Sequence, residues 1–339
     1  MTNSWSKLGW AAGMLTVAMG MAACSHSGAN TESSTGAASA AQPVKQDSAS
    51  TASKPAETAP PASQTGGFDG AKAYEHVAAI VGYGPRPPAS EGIHHVQGYI
   101  REQLKSYGCT LDEDDFHAST PAGDVAMKNI IAKTQGTGQG IILLLTHYDS
   151  LSSVKDFVGA EDSASSDGVM LEMARLLCGR KEPNSVWIAF LDGEEAFVNW
   201  DQDEDHTYGS RELAARMAVS GDLKRVKAVI LADMIGQYGL AIPREGNSTK
   251  WLTDLVWKTA GHLGYGDVFV SREETISDDH QPFLARNVAS VDIIDWDGFQ
   301  NPKYWHTAQD TLDKVSPRNV AIVGHVILET VNELQKKFH

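Results

Sequence analysis

The sequence predicts an α/β domain of three layers, with helices on both faces of a central mixed, mostly parallel sheet. Apolar runs carry the first part of this expectation: IILLL at 141–145, SVWIAFL at 185–191 and VKAVIL at 226–231. They lack the alternation of a half-solvated strand, so they read as strands buried on both faces. Helical segments separate the runs, and that alternation is what covers a parallel sheet on both sides. Each run also opens into polar residues, THYDS, DGEE and ADMIG, at the edge where open α/β sheets place their sites.

The chain begins with Lys7, an apolar stretch over residues 8–23 and then Cys24. Residues 1–23 therefore read as a secretion signal. The stretch is short and rich in Ala and Gly, whereas a membrane-spanning helix takes ~20 strongly apolar residues. MAAC at 21–24 resembles a bacterial lipobox, in which Cys24 becomes the lipidated first residue of an exported protein held at the cell envelope. A soluble export signal cut near Ala23 is the alternative. Residues 24–66 are Ser, Thr, Ala, Pro, Gly and Gln with scattered charge and no aromatic residue. Such a segment cannot bury enough apolar area to offset its ordering entropy, so it reads as a disordered tether.

Residues 67–339 suffice for one large core and contain no second linker, so a single domain is expected. In it the sequence predicts helices over 70–81 and 91–106, the latter with Ile93, Val96, Ile100 and Leu104 on one face. The prolines of YGPRPPASEG separate the two. Strands follow over 109–116, 127–133 and 140–145, then a helix over 167–178 and a strand over 185–191. A helix over 213–218, a strand over 226–231, a helix over 250–259, a strand over 288–294 and a closing helix over 320–334 complete the order.

The formal charge of -15, from 43 acidic and 28 basic residues, comes with no basic cluster. Nucleic acid is therefore excluded as a partner. Cys109 and Cys178 lie at a helix-to-strand junction and a helix end. They are expected as free, buried thiols, with a disulfide open to an exported protein.

His147, Asp149, Asp162, Glu194, Glu195, Asp233, Asp278, Asp279 and His306 are the candidate site residues, several directly after an apolar strand. Taken singly, each is a helix cap or a solvated loop residue. As a set at one sheet edge they repel or desolvate one another unless a cation or shared protons compensate. Zinc fits the mixture, because it accepts imidazole nitrogen and carboxylate oxygen while leaving a position for water or substrate. The adjacent Glu194 and Glu195 suit a division of labour, one carboxylate on the metal and its neighbour free to move protons. No G-x-S-x-G elbow is present, so Ser150, Ser163 and Ser210 read as caps and turn residues.

The ordered series LLLTHYDS, GAEDSASSDGVMLEMARLL, WIAFLDGEEAF, YGSRELA, LADMIG, SDDHQPFL and YWHTAQDTLDKVS resembles the zinc-dependent exopeptidases of family M28. It is especially similar to the glutaminyl cyclases. The insertion VNWDQDEDHT before YGSR, and Trp305 directly before His306, favour that branch. The resemblance implies one zinc held by Asp162, Glu195 and His306, with Glu194 as the proton shuttle. It also implies that Asp278 accepts a hydrogen bond from the catalytic carboxylates, that Asp233 completes the network, and that Trp305 walls the pocket. In two-zinc aminopeptidases the counterparts of His147 and Asp233 bind a second metal, with that of Asp162 bridging and that of Asp149 orienting the histidine. Two departures stand out. Asp292 occupies the place of a histidine of animal cyclases, and Cys109 and Cys178 cannot reproduce their disulfide near the metal loop.

The implied activity is cyclisation of N-terminal glutamine, with hydrolytic removal of N-terminal residues as the alternative. The partners are then peptides or proteins with a free N-terminus, the membrane through lipid on Cys24, and no second copy of the chain. Trp200, Trp296 and Phe299 lie in loop-like stretches, where they line a cleft or cover the core. Trp187 reads as core, His206 as part of a solvated loop, and His280 as the holder of a nearby carboxylate or a structural histidine.

Overall fold

The computed structural model describes residues 57–201, 204–297 and 303–339. The secretion signal, Cys24 and Phe299 lie outside the described residues. No helix among the described residues is long and apolar enough to cross a membrane.

Packing starts earlier than the expected boundary at residue 67. Glu57 accepts a hydrogen bond from Ser316 at 2.7 Å, Ala62–Gln64 forms a helical turn, and Thr65 is buried with its hydroxyl donating to the Phe68 carbonyl at 2.5 Å. Composition misses this because a few backbone and hydroxyl contacts anchor the segment, with few apolar side chains involved.

Helix α1 (Gly70–Gly82) starts at Asp69, whose carboxylate accepts from the Ala71 and Lys72 amides and satisfies donors that have no partner inside the helix. Helix α2 (Glu91–Ser106) is capped in the same way by Ser90 and buries the predicted face of Ile93, Val96, Ile100 and Leu104. Strands β1 (Thr110–Thr120) and β2 (Gly123–Lys133) form an antiparallel hairpin. Then come β3 (Ile141–His147), α3 (Ser166–Leu177), β4 (Ser185–Leu191), α4 (Tyr208–Ser220) and β5 (Val226–Asp233). They are followed by β6 (Ile242–Glu245), α5 (Lys250–His262), β7 (Phe269–Glu274), the short α6 (Gln281–Leu284), β8 (Ser290–Ile294) and α7 (Pro317–Lys337).

The main sheet runs β1-β2-β4-β3-β5-β8. Its four strands β4, β3, β5 and β8 are parallel, and β2 joins β4 antiparallel. Every residue of β3 and β4 is buried, as the uninterrupted apolar runs require. Alternate side chains divide between two cores. Ile142, Leu144 and Ile188 meet α1, α2, α3, α5 and α7, while Leu143, Leu145 and Ala189 meet α4 and Phe283 of α6. This is the predicted three-layer sandwich. Strands β6 and β7 form an additional two-stranded parallel sheet that the sequence does not announce.

Cys109 and Cys178 are joined in a disulfide, which overturns the expectation of free thiols. The cysteines are 69 residues apart. They meet because α2 and α3 end side by side in one layer, a tertiary fact that spacing does not carry. Trp187 is buried as expected, with Lys133 Nζ 3.8 Å from its ring centroid.

Candidate metal and catalytic site

The parallel strands deliver the site at their carboxyl ends. His147 is the last residue of β3 and Asp233 the last of β5. Glu194 and Glu195 follow β4 through Asp192 and Gly193. Gly193 has φ of 72°, and a Cβ there would sit 2.6 Å from Met127 Sδ, so the turn that presents the two glutamates needs glycine. Asp149 fixes that turn, its two carboxylate oxygens accepting the amides of Glu194 at 3.0 Å and Glu195 at 3.3 Å.

Asp162 sits in the irregular turn Ala160–Ser165 ahead of α3, before a cis peptide bond to Ser163. Asp310 holds it in place by accepting the Glu161 amide at 2.9 Å and the Asp162 amide at 3.1 Å. Arg86, fully buried, donates to the carbonyls of Tyr148, Val158 and Gly159, which ties the loop after β3 to the approach to Asp162. His306 lies in a turn ahead of α7 with φ of 51°, a strained conformation for a residue with a Cβ.

These supports bring together the residues singled out in the sequence. Asp162 lies at the centre. Its Oδ1 is 3.2 Å from His147 Nε2 and its Oδ2 is 3.3 Å from His306 Nε2. Glu195 Oε2 is 3.5 Å from His306 Nε2, and Asp233 Oδ1 is 3.2 Å from His147 Nε2. Two ligand sets result, Asp162 with Glu195 and His306, and Asp162 with His147 and Asp233. In each, one atom per residue falls within 4.8 Å of the others. Glu195 Oε1 is buried without a hydrogen-bond partner, while His147 turns Nδ1 toward Asp149 Oδ1 at 3.5 Å and leaves Nε2 facing Asp162 and Asp233. Buried atoms of this kind call for a partner, and a mixture of imidazole and carboxylate donors fits zinc.

Burial raises Glu194 well above the ordinary carboxyl range, with Glu195, Asp278 and Asp279 adding to it against the pull of His147. Burial also pushes Glu195 up to about 8, helped by Asp162. Asp278 is raised well above its usual value by burial, Asp233 and Asp279. Asp162 goes the other way. Burial opposes its ionisation, yet hydrogen bonds from His147 and His306 hold it below the carboxylate range. His306 rises to about 9 despite burial, because Glu195 and Asp162 face it.

A cavity of about 440 Å³ opens onto this cluster, lined by Asp162, Glu194, Glu195, Asp233, Asp278 and His306 and walled by Trp200, Trp296 and Trp305. Trp305 stacks on His306 with centroids 3.9 Å apart and donates its indole N–H to Asp162 at 3.2 Å. Trp296 meets Trp305 edge-on at 5.1 Å. Trp200 stacks on His206 at 4.2 Å, so His206, half-exposed in its loop, also supports a wall of the cavity. Asp205 braces the same loop by accepting the amides of Phe197, Val198 and Asn199. His280 lies between Glu245 and Asp292.

Sequence reasoning missed Arg86, Asp310, Asp205 and Glu245. Arg86, Asp310 and Glu245 act on backbone groups or a histidine of distant segments, and Asp205 acts on amides of its own loop. The PRPP context of Arg86 and the spacing of Asp310 four residues after His306 are the faint signals available.

Comparison with known proteins bears on this site. The model of peptidase family M28 matches residues 129–331. The structure of a glutaminyl cyclase from an Acidobacteriales bacterium is 36% identical and superposes with a TM-score of 0.75 over 80% of this chain and 96% of that one. A glutaminyl-peptide cyclotransferase of Boiga irregularis is 31% identical over 290 residues, 73% of this chain and 78% of the relative. A zinc-dependent exopeptidase from Parabacteroides distasonis is 26% identical with a TM-score of 0.72, over 78% of this chain and 98% of that one.

Proposed function

This chain belongs to peptidase family M28, and from that premise we propose that it converts N-terminal glutamine of peptides to pyroglutamate with release of ammonia. The observation that carries the reading is the small cavity walled by Trp200, Trp296 and Trp305 directly over the Asp162, Glu195 and His306 cluster. The three indoles wall an open cavity of about 440 Å³, with room for the first residue of a peptide folded back on itself.

Asp162, Glu195 and His306 would hold one zinc ion. Bound there, zinc supplies a Lewis acid for the side-chain carbonyl oxygen. The remaining work belongs to the protein. The tryptophan walls fold the substrate so that its α-amine meets its own γ-carboxamide carbon, which makes the reaction intramolecular. Glu194, buried at the cavity floor with its backbone held by Asp149, takes a proton from the attacking amine and returns one to the departing ammonia. The new C–N bond closes the ring and the old one breaks. Asp278 lines the same cavity and supports the proton transfer, with Asp233 beside His147. No protein nucleophile is required.

A second reading has its own observation. The His147, Asp162 and Asp233 set is intact, and a second zinc there would suit hydrolysis of N-terminal residues. The zinc enzyme incubated with a glutamine-initiated peptide separates the two by mass spectrometry. Ammonia loss above the spontaneous rate with the chain intact is expected. Release of free glutamine without cyclisation would contradict the cyclase reading.

Export belongs to the same proposal: residues 1–23 direct secretion, and lipid on Cys24 anchors a monomeric enzyme at the cell envelope, where it meets peptides with free N-termini. Cys24→Ala is then expected to move the protein from the membrane fraction to the soluble one.

A further inference from the structure

Behind Asp278 lies a line of buried ionisable groups, Asp292, His280 and Glu245, that the proposed chemistry leaves unused. Asp278 lines the cavity, and the fully buried Asp292 of β8 faces its carboxyl from behind. As two anions neither could donate to the other, and Asp278 Oδ2 and both Asp292 carboxylate oxygens would stay buried without a partner. A proton held between the two carboxyls satisfies one oxygen of each.

His280 comes next, also fully buried, with Nδ1 3.6 Å from Asp292 Oδ2 and Nε2 3.2 Å from Glu245 Oε2. The Nε2 contact is within hydrogen-bonding range of Glu245, while Nδ1 faces Asp292 just beyond it. Glu245, the last residue of β6, is the end of the line. One of its oxygens accepts from the Ser248 amide at 2.6 Å and the Ser248 hydroxyl at 2.8 Å. The other accepts from the amides of Asn247 at 3.0 Å and Ile276 at 3.3 Å. Ser248 Oγ in turn accepts the Asp292 amide at 3.0 Å. Glu245 thus holds His280, the backbone of Asp292 through Ser248, and the cavity-lining segment two residues before Asp278. Burial opposes its ionisation, yet His280 and the Asn247 amide hold it down at about 2.

We infer that Glu245 and His280 are positioning residues that act through Asp292: they fix its carboxyl behind Asp278, so that Asp278 presents one defined hydrogen-bonding state to the reacting groups in the cavity. The additional sheet formed by β6 and β7 gains a purpose from this, since it carries Glu245 to the back of the site. The inference rests on the site being catalytic as proposed above.

The test is a double-mutant cycle on the zinc-loaded enzyme, read as kcat and KM separately for whichever product the wild type makes. His280→Asn is expected to lower kcat roughly 10-fold, a fraction of a general acid–base contribution, with KM changed less than about twofold. Asp292→Asn is expected to cost at least as much. In the Asp292→Asn background, His280→Asn should cost almost nothing further, because groups that act as a unit are non-additive. Glu245→Gln, nearly isosteric, is expected to reproduce the His280→Asn loss and serves in its place where that variant does not fold. An active wild type with unchanged kcat in His280→Asn and Glu245→Gln, or with losses that multiply independently, would overturn the inference and leave the cyclase reading standing. A wild type that neither cyclises nor hydrolyses the peptide would overturn both.

Discussion

Two edges of the sheet handle acidic residues in opposite ways. On the β1–β2 hairpin Asp112 lies 2.6 Å from Lys133 and 2.7 Å from Arg216, and Lys128 reaches both Glu113 and Asp115. There the cations outweigh partial burial and hold Asp112 below its usual value. At the carboxyl ends of β4 and β5, Glu194, Glu195 and Asp233 are buried together with Asp278 from the segment after β7, and burial raises all four. Surface pairs stabilise weakly, whereas buried carboxyls without compensation destabilise. The hairpin edge therefore serves the fold, and the strand-end cluster is tolerated because it serves chemistry and accepts a cation.

The contrast is open to direct attack. The largest effect is expected from Glu194→Gln, which removes the proposed proton shuttle and should lower turnover by roughly 10²–10⁴-fold without lowering the melting temperature. A loss of stability parallel to the loss of turnover would make Glu194 a structural residue. Removing the Cys109–Cys178 link by a Ser pair is expected to cost about 2–4 kcal/mol in denaturant unfolding while kcat of the folded enzyme stays put, because the link lies at the ends of α2 and α3.

His76 sharpens the comparison from the helical layer. It sits between the hydroxyls of Tyr99 and Tyr107, and burial lowers it to about 4 from 6.5. A histidine kept neutral in the folded state contributes stability that is complete above its unfolded value. That contribution fades as pH falls from 6.5 toward 4, by up to about 3 kcal/mol. His76→Gln should flatten this part of the stability-against-pH curve, and an unchanged slope would contradict the assignment. The smallest effect belongs to the hairpin. Arg216→Ala is expected to cost under about 1 kcal/mol by chemical denaturation and to leave turnover unchanged.

Much of this organisation is legible in the sequence, for identifiable reasons. Strands such as residues 185–191 are apolar throughout because both faces are buried, and their ends carry polar residues because that edge is open. His147, Asp162, Glu194, Glu195, Asp233 and His306 converge because parallel strands deliver their carboxyl ends to one place. What escapes is whatever depends on one segment meeting the backbone of another. Asp310 holds the Asp162 turn, Arg86 crosses between two loops, and Glu245 lies on a short strand whose pattern is too brief to register. The disulfide belongs to the same class. Asp292, apparent in sequence only as a departure from the animal pattern, gains its meaning from His280 and Asp278 beside it.

The central claim is that the buried cluster at the strand ends is built around a cation, and the melting temperature of metal-free protein against added zinc tests it most directly. At a zinc concentration ~1,000 times its dissociation constant, binding to the folded state adds about 4 kcal/mol, which for a domain of this size is a rise of several degrees. The rise should vanish in His306→Ala and persist in Glu194→Gln. A melting temperature indifferent to zinc, or a rise that survives His306→Ala undiminished, would contradict the account.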